Sequence, residues 1–202
     1  FASLGVDRII EGGQTMNPST EDFVQAVLQV DAETVILLPN NSNIILTAKQ
    51  AMELVYDRQI VVIPTKTVSQ GMAAMMAFRQ EATLEQNEAT MTEALQQVRS
   101  GQITQAIRNT SVDDIVIETN DFIGLLDNAI VTANKTLQET CQKLIDAMMA
   151  DDGDMITILS GELADPAETE QMIAYIHNVY ANVETELLPG GQPLYHYLLS
   201  VE

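Results

Sequence analysis

Cysteine, histidine and the basic residues are all scarce in this 202-residue sequence. The one cysteine, Cys141, excludes an internal disulfide and suits a reducing compartment, so a cytoplasmic location is expected. Cys141 falls on the apolar face of a predicted helix and is expected to be a buried, inert thiol. With only two histidines beside it, a structural zinc site lacks ligands, and no metal site is expected. Nine Lys and Arg stand against 29 Asp and Glu, a net charge of −20. That balance gives nucleic-acid binding no electrostatic support, and an anionic membrane surface would repel the chain. The apolar runs reach strand length only, too short for a transmembrane helix. No basic, apolar leader is present. The sequence also lacks a Walker A loop and the patterns G-x-S-x-G, C-x-x-C and H-E-x-x-H, so no catalytic residue is assigned. The opening "FASLGVDRII" reads as the middle of an element, and a fragment of a longer polypeptide is expected.

What is present is a large apolar fraction, 46%, enough for one large or two small cores. Residues 1–82 alternate strand and helix signals. "DRIIEG", "TVILLP" and "QIVVIP" read as strands, the last two as continuous apolar runs of a buried parallel sheet. "STEDFVQAVLQV", "NIILTAKQAMELVY" and "SQGMAAMMAF" read as helices. The β-α-β-α-β-α order predicts right-handed crossovers and a parallel α/β lobe. Residues 83–101 read as a helical connector, with Gly101 as its C-cap. Residues 102–202 read as a mixed α+β lobe. Strands are expected at "QITQAIR", "DIVIET", "DFIGLLD", "NAIVTA", "DMITILSG", "NVETELL" and "PLYHYLLSV". Asp127-Asn128 is a hairpin turn, and Asp165 with Pro166 and Glu168 starts a helix. Charge is uneven: residues 1–80 hold 8 acids and 5 bases, residues 81–202 hold 21 and 4. The acidic half could steer a basic partner surface.

Ligands of open parallel sheets bind at the carboxyl ends of the strands. Three loops meet that description: "GGQTMNPST", "PNNSN" and "PTKTVSQG", each leading into a helix. They supply Thr15, Asn17, Ser19, Asn40, Asn41, Asn43, Thr65, Lys66, Thr67 and Gln70. Helix N-termini offer unpaired N–H groups, so this set suits a carboxylate or phosphate, or polar contacts to a protein. The plain alternative is that Ser19, Ser42 and Ser69 cap helices and the asparagines form turns. A second loop, "GGQPLYHY", contributes Gly190, Gly191, Gln192 and His196. His196 reads either as an acid or donor or as a half-buried strand residue, and His177 as exposed. The acids of "DDGDM" could take magnesium but join a helix to a strand, and read as a solvated turn.

Four of these stretches, "GGQTMNPSTEDF", "VILLPNNSNIILTAKQA", "VVIPTKTVSQGMAAM" and "GGQPLYHYLLSVE", occur in the order of one bacterial family. The chain closely resembles the carboxy-terminal domain of the YloV-type proteins, which are related to the dihydroxyacetone kinases and act as the ATP-binding subunit of fatty acid kinase. The resemblance spans essentially the whole sequence. It implies a DegV-like two-lobed fold and a non-catalytic role in recruiting a fatty-acid-binding DegV-type partner. It also implies a longer, homodimeric parent whose amino-terminal domain binds ATP and magnesium and phosphorylates the acyl carboxylate. The kinase metal motif is not matched, since "DDGDM" shares only Asp152-Gly153-Asp154 with it. DegV-type lipid binders carry a Thr-Ser-x-Pro-Ser-like loop near the carboxylate. "TMNPS" keeps Thr15, Pro18 and Ser19, with Met16 in place of the serine. A small-anion or lipid-binding domain is the alternative implied. A phosphatase-like activity has no matching residue set.

Overall fold

The computed structural model describes residues 4–12 and 17–202, and the chain divides into two compact units, residues 1–97 and 98–202. The first unit runs α1 (Thr20–Leu28), β1 (Thr34–Leu37), a 3-10 turn (Ser42–Ile44) leading into α2 (Ile45–Met52), β2 (Gln59–Val62), α3 (Val68–Ala77) and α4 (Leu84–Gln97). β1 and β2 pair in parallel, from Thr34 opposite Gln59 to Leu37 opposite Val62. A parallel pair needs a crossover, and α2 supplies it. Strand side chains alternate between faces, so this short sheet is covered twice. Val35, Leu37 and Ile60 pack with Phe23 and Val27 of α1 and Ala48 and Ala51 of α2. Ile36 and Val61 pack with Ile63, with Ala74 of α3, and with Met91 and Leu95 of α4. No base stands in the last turn of α1. Arg58 takes that place, its guanidinium donating to the carbonyls of Val27 (2.9 Å) and Val30 (2.8 Å).

Three expectations for this region change. "DRIIEG" is not a strand, because β1 and β2 pair only with each other among the described residues. Ile10 still rests against the α1–α2 cluster, while Ile9 is 57% exposed. The second helix ends at Met52 rather than continuing to Tyr56. The amides of Glu53 and Leu54 bond to Gln50 and Ala51, tightening the chain into a turn that leads to β2. The helix expected over 83–101 stops at Gln97, and residues from Arg99, Gly101 included, already belong to a strand.

The second unit is built on a six-stranded sheet in the order β7-β6-β3-β10-β8-β9. In chain order its elements are β3 (Arg99–Gln105), a small separate hairpin of β4 (Thr110–Val112) and β5 (Ile115–Ile117), β6 (Phe122–Leu126) and β7 (Ala129–Asn134). Then follow α5 (Leu137–Met148), β8 (Met155–Ser160), α6 (Pro166–Val179), β9 (Glu184–Pro189) and β10 (Tyr195–Val201). All neighbours are antiparallel except β8 and β9, whose parallel pairing is bridged by α6. The β6–β7 hairpin turns at Asp127 (φ 48°) and Asn128 (φ 70°), the two positive angles that a tight hairpin turn requires. α6 starts as its sequence predicts: Asp165 accepts the amides of Ala167 (2.9 Å) and Glu168 (3.2 Å), with Pro166 at the first position. α5 and α6 bury Leu137, Leu144, Ile145, Met148, Met172 and Ile176 against Ile103, Ile156, Ile158, Tyr197 and Leu199 of the sheet. Cys141 lies in this core, and burial pushes its thiol up to about 12. Tyr175 and Tyr180 both donate to one oxygen of Asp146, at 2.6 and 2.7 Å, linking the two helices. The sequence gives no sign of β4: "TSV" is too short and too polar to carry a strand pattern, and it exists because β5 pairs with it.

Candidate functional site

In the first unit the expected residues fall at the carboxyl ends of β1 and β2 and at the start of α1. Thr15 lies outside the described residues. Asn17 is exposed. Ser19 is the N-cap of α1 in a reciprocal capping box. Its Oγ accepts the Asp22 amide (3.2 Å), and the Asp22 carboxylate accepts both the Ser19 amide (2.8 Å) and hydroxyl (2.7 Å). Those bonds from Ser19 hold the Asp22 carboxyl below the usual range.

The second and third loops meet directly. The Asn40 amide donates to the Thr65 hydroxyl at 2.9 Å, and Thr65 is fully buried. Asn40 adopts φ 58°, a left-handed conformation that Asn tolerates better than most residues. Its side chain lies across Gly71 of α3, where a Cβ would come within 2.0 Å of Oδ1. That Oδ1 is buried and has no hydrogen-bond partner among the described residues. The remaining polar groups serve the backbone. Asn41 caps the 3-10 turn, accepting the Asn43 amide (2.9 Å). Thr67 caps α3, accepting the Gln70 amide (3.1 Å). The Gln70 side chain accepts the Lys66 amide (2.8 Å) and donates to the Leu95 carbonyl (3.4 Å). The caps are thus Asn41 and Thr67, not Ser42 and Ser69, because the extended residue before each helix falls earlier than expected. The side chains of Lys66 and Asn43 are exposed.

The second unit holds a separate arrangement. Gly190 and Gly191 turn the chain by donating to the Ser160 carbonyl (2.9 and 3.1 Å). The Gln192 side chain donates to the Leu159 carbonyl (2.9 Å), and its backbone carbonyl accepts from Glu162 (3.0 Å). His196 sits where the β10–β3 register slips between Tyr195 and Tyr197, at a β-bulge. Bulges re-aim side chains, and this imidazole is 8% exposed, edge-on to Phe122 with ring centroids 5.3 Å apart. Its Nδ1 is buried without a partner among the described residues. Burial pushes its pKa down, opposed by the charge of Glu168. Beside it the Tyr197 hydroxyl bonds Thr169 at 2.8 Å. His177 is exposed, 2.9 Å from the Thr185 hydroxyl. Sequence reasoning missed Phe122 and Glu168 as neighbours of His196, and Gly71 as the neighbour of Asn40. Only the tertiary fold joins such distant positions.

The residues at 151–154 form a turn, with Asp152 at φ 59° and its carbonyl bonded by Arg99. Among the described residues no group of three His, Cys, Asp or Glu is placed to hold a metal ion. No helix among them is long and apolar enough to cross a membrane. Of the side chains described, only Thr185 and the exposed His177 set a hydroxyl beside an imidazole, and neither belongs to the two loop arrangements. Each is a polar loop whose groups are mostly bonded internally, with one buried, unpartnered acceptor or imidazole nitrogen.

Known proteins fit this geometry at two levels. By fold, the chain is similar to a DegV lipid-binding protein of Thermotoga maritima. The TM-score is 0.67 at 15% identity, covering 92% of this chain and 76% of that one. It is also similar to the fatty acid kinase B3 protein of Streptococcus pneumoniae, solved loaded with linoleic acid, with a TM-score of 0.63 at 14% identity and coverage of 92% and 76%. The fold is thus the DegV fold, a mixture of parallel α/β and mixed-sheet units. By sequence, it is 47% identical to protein YloV of Bacillus subtilis over all 202 residues, which are 36% of that protein. It is 43% identical to an uncharacterized protein of Staphylococcus aureus (strain MRSA252), of which it covers 37%. The chain therefore spans little more than a third of the length of these relatives. The FakA-like family, that of the C-terminal domain of fatty acid kinase A-type chains, matches residues 1–202 without remainder, and the chain belongs to that family.

Proposed function

We propose that this domain is a non-catalytic recruitment module of a bacterial fatty acid kinase. It would hold a fatty-acid-binding DegV-type partner so that the acyl carboxylate reaches ATP and magnesium on another domain of a longer, homodimeric protein. Its contribution would be proximity: holding two reactants in register replaces a bimolecular encounter by an effectively unimolecular one. The observation that carries this reading is the full-length match to the C-terminal family of the kinase in a chain whose fold is like that of the fatty-acid-loaded protein. The internal commitment of Ser19, Asn41, Thr67, Gln70 and Gln192 supports it, since groups that cap their own helices and turns are not available for chemistry. The test is binding of the purified chain to each fatty-acid-binding DegV-type protein of the source organism, by calorimetry at low salt. Saturable binding to at least one is expected. Absence of binding to all of them at high protein concentration would overturn the reading.

A second reading, a domain that itself takes a small anion or a lipid, draws on one observation in each unit. Asn40 Oδ1 and His196 Nδ1 are buried and unpartnered among the described residues, and unmet polar atoms of that kind ask for a ligand or water. Native mass spectrometry of the purified chain decides it. A co-purifying anion or acyl chain, lost on substitution of Asn40 or His196, would favour this second reading.

A further inference from the structure

The β4–β5 hairpin is an arm that extends from the β3 and β6 strands. At its root the Ala106 amide donates to the Asp121 carbonyl and the Asn120 amide to the Ala106 carbonyl, both at 2.8 Å. Asn109 Oδ1 accepts the amide (2.7 Å) and hydroxyl (2.8 Å) of Thr119. Lys135 pairs with Asp121 at 2.8 Å and with Glu118. Ile117 is buried. The root is therefore fixed by hydrogen bonds, ion pairs and one core side chain. Beyond it β4 is exposed along its whole length. Ile107 is 91% and Val116 73% exposed, and Asp113 and Asp114 form an exposed tip.

Two strands with an open edge, β9 of the large sheet and β4 of the separate hairpin, are treated differently. The edge strand β9 carries Glu184, Glu186 and Pro189, the charges and proline that blunt an edge against pairing. β4 is Thr-Ser-Val, with neither charge nor proline, and among the described residues pairs only with β5. A ribbon with an uncharged open edge, exposed apolar side chains at Ile107 and Val116 and a firmly anchored root is the form of an interaction element. Its surroundings select the occupant. Residues 98–202 hold 17 acids and 4 bases. Lys135 and Lys143 are tied to Glu118, Asp121 and Glu139, and Arg99 is bound to the Asp152 carbonyl; Arg108, exposed beside Ile107, is the fourth base and is outnumbered by the acids around it. A second copy of the chain carries the same −20, and anionic lipid carries the same sign. A basic protein surface is the complement.

We infer that the β4–β5 arm is the docking element for a basic protein surface, with Ile107 and Val116 entering an apolar recess and Asp113 and Asp114 pairing with bases around it. The inference rests on the recruitment reading, and it makes the fatty-acid-binding partner the owner of that basic surface. The test compares three variants of the full chain by calorimetry and stopped-flow association, with thermal unfolding to confirm that each is folded. Ile107→Lys/Val116→Lys should weaken partner binding at least tenfold. Asp113→Asn/Asp114→Asn should slow association severalfold and flatten its salt dependence. Leu187→Lys, on the β9 edge, should bind like the parent chain. Equal binding by the parent and the Ile107→Lys/Val116→Lys chain would overturn the arm while leaving recruitment intact. Failure of the parent chain to bind any such partner would overturn both. Self-association of the chain that the arm variants abolish would assign the arm to a second copy and overturn the inference as well.

Discussion

Replacing Gly71 by alanine should destabilise the first unit, and should stabilise it once Asn40 is also changed to glycine. Two opposing effects meet at this position. Gly71 lies within α3, where alanine is better than glycine by about 1 kcal/mol. Against that, the new Cβ would lie 2.0 Å from Oδ1, 2.7 Å from Cγ and 2.9 Å from Nδ2 of Asn40. The whole carboxamide must move, from a setting where its oxygen is already buried, and overpacking of this kind costs about 1–3 kcal/mol. The net effect of Gly71→Ala is a loss of up to about 2 kcal/mol. Glycine suits the φ of 58° at residue 40 and removes the obstacle, so in an Asn40→Gly background the same alanine should stabilise by about 0.5–1 kcal/mol. Native-state hydrogen exchange of the α3 amides reads this in the first unit alone. A double-mutant cycle over the four chains gives the coupling. If Gly71→Ala has the same sign in both backgrounds, the contact between the second loop and α3 is not what keeps residue 71 a glycine.

Other perturbations have equally definite outcomes. Thr65→Val keeps the shape of a buried side chain but strands the Asn40 amide, and should cost about 1–3 kcal/mol, with faster exchange of that amide; unchanged protection of Asn40 would refute the bond. The lowered pKa of His196 means the unfolded chain binds its proton more readily. Stability should therefore be full above about pH 6.5 and fall as the pH drops below it, and His196→Phe should flatten that fall in urea titrations run from pH 7.5 to 5. Asp146→Ala removes the acceptor of both Tyr175 and Tyr180 and should cost about 1–2 kcal/mol. Burial and Asp146 raise both phenols, that of Tyr175 to about 12, so the parent chain should lose stability as the pH rises from about 10 towards 12, and Asp146→Ala should lose less over that range.

The strongest sequence signals are those with a local cause. The Asp127-Asn128 turn and the Asp165-Pro166 helix start depend on residues next to one another, and both appear where expected. The parallel pair is legible because its strands are apolar on both faces. "DRIIEG" has only Ile9 and Ile10 between charged residues, and no strand lies beside it among the described residues; a strand is defined by its neighbour. The caps show the same limit on a smaller scale. In "NNSN" and "TKTVS" several adjacent side chains can cap a helix, and the backbone angles of Asn41 and Thr67 decide between them. Candidate site residues can be picked out by type, but their engagement cannot. That Ser19, Thr67 and Gln70 are spent on their own helix ends, while Asn40 and His196 hold unpartnered atoms, follows from backbone geometry and from a bulge that periodicity does not reveal.

The placement of β10 governs the order in which the second unit can be completed. It lies between β3 and β8, yet it follows every other strand in the chain. Until residues 195–201 have left the ribosome, β7-β6-β3 and β8-β9 exist as two part-sheets, with the edges of β3 and β8 open to whatever strand arrives first. Open edges invite wrong pairing. This strand is therefore a keystone that closes both halves in one step, and the unit is most vulnerable just before that step.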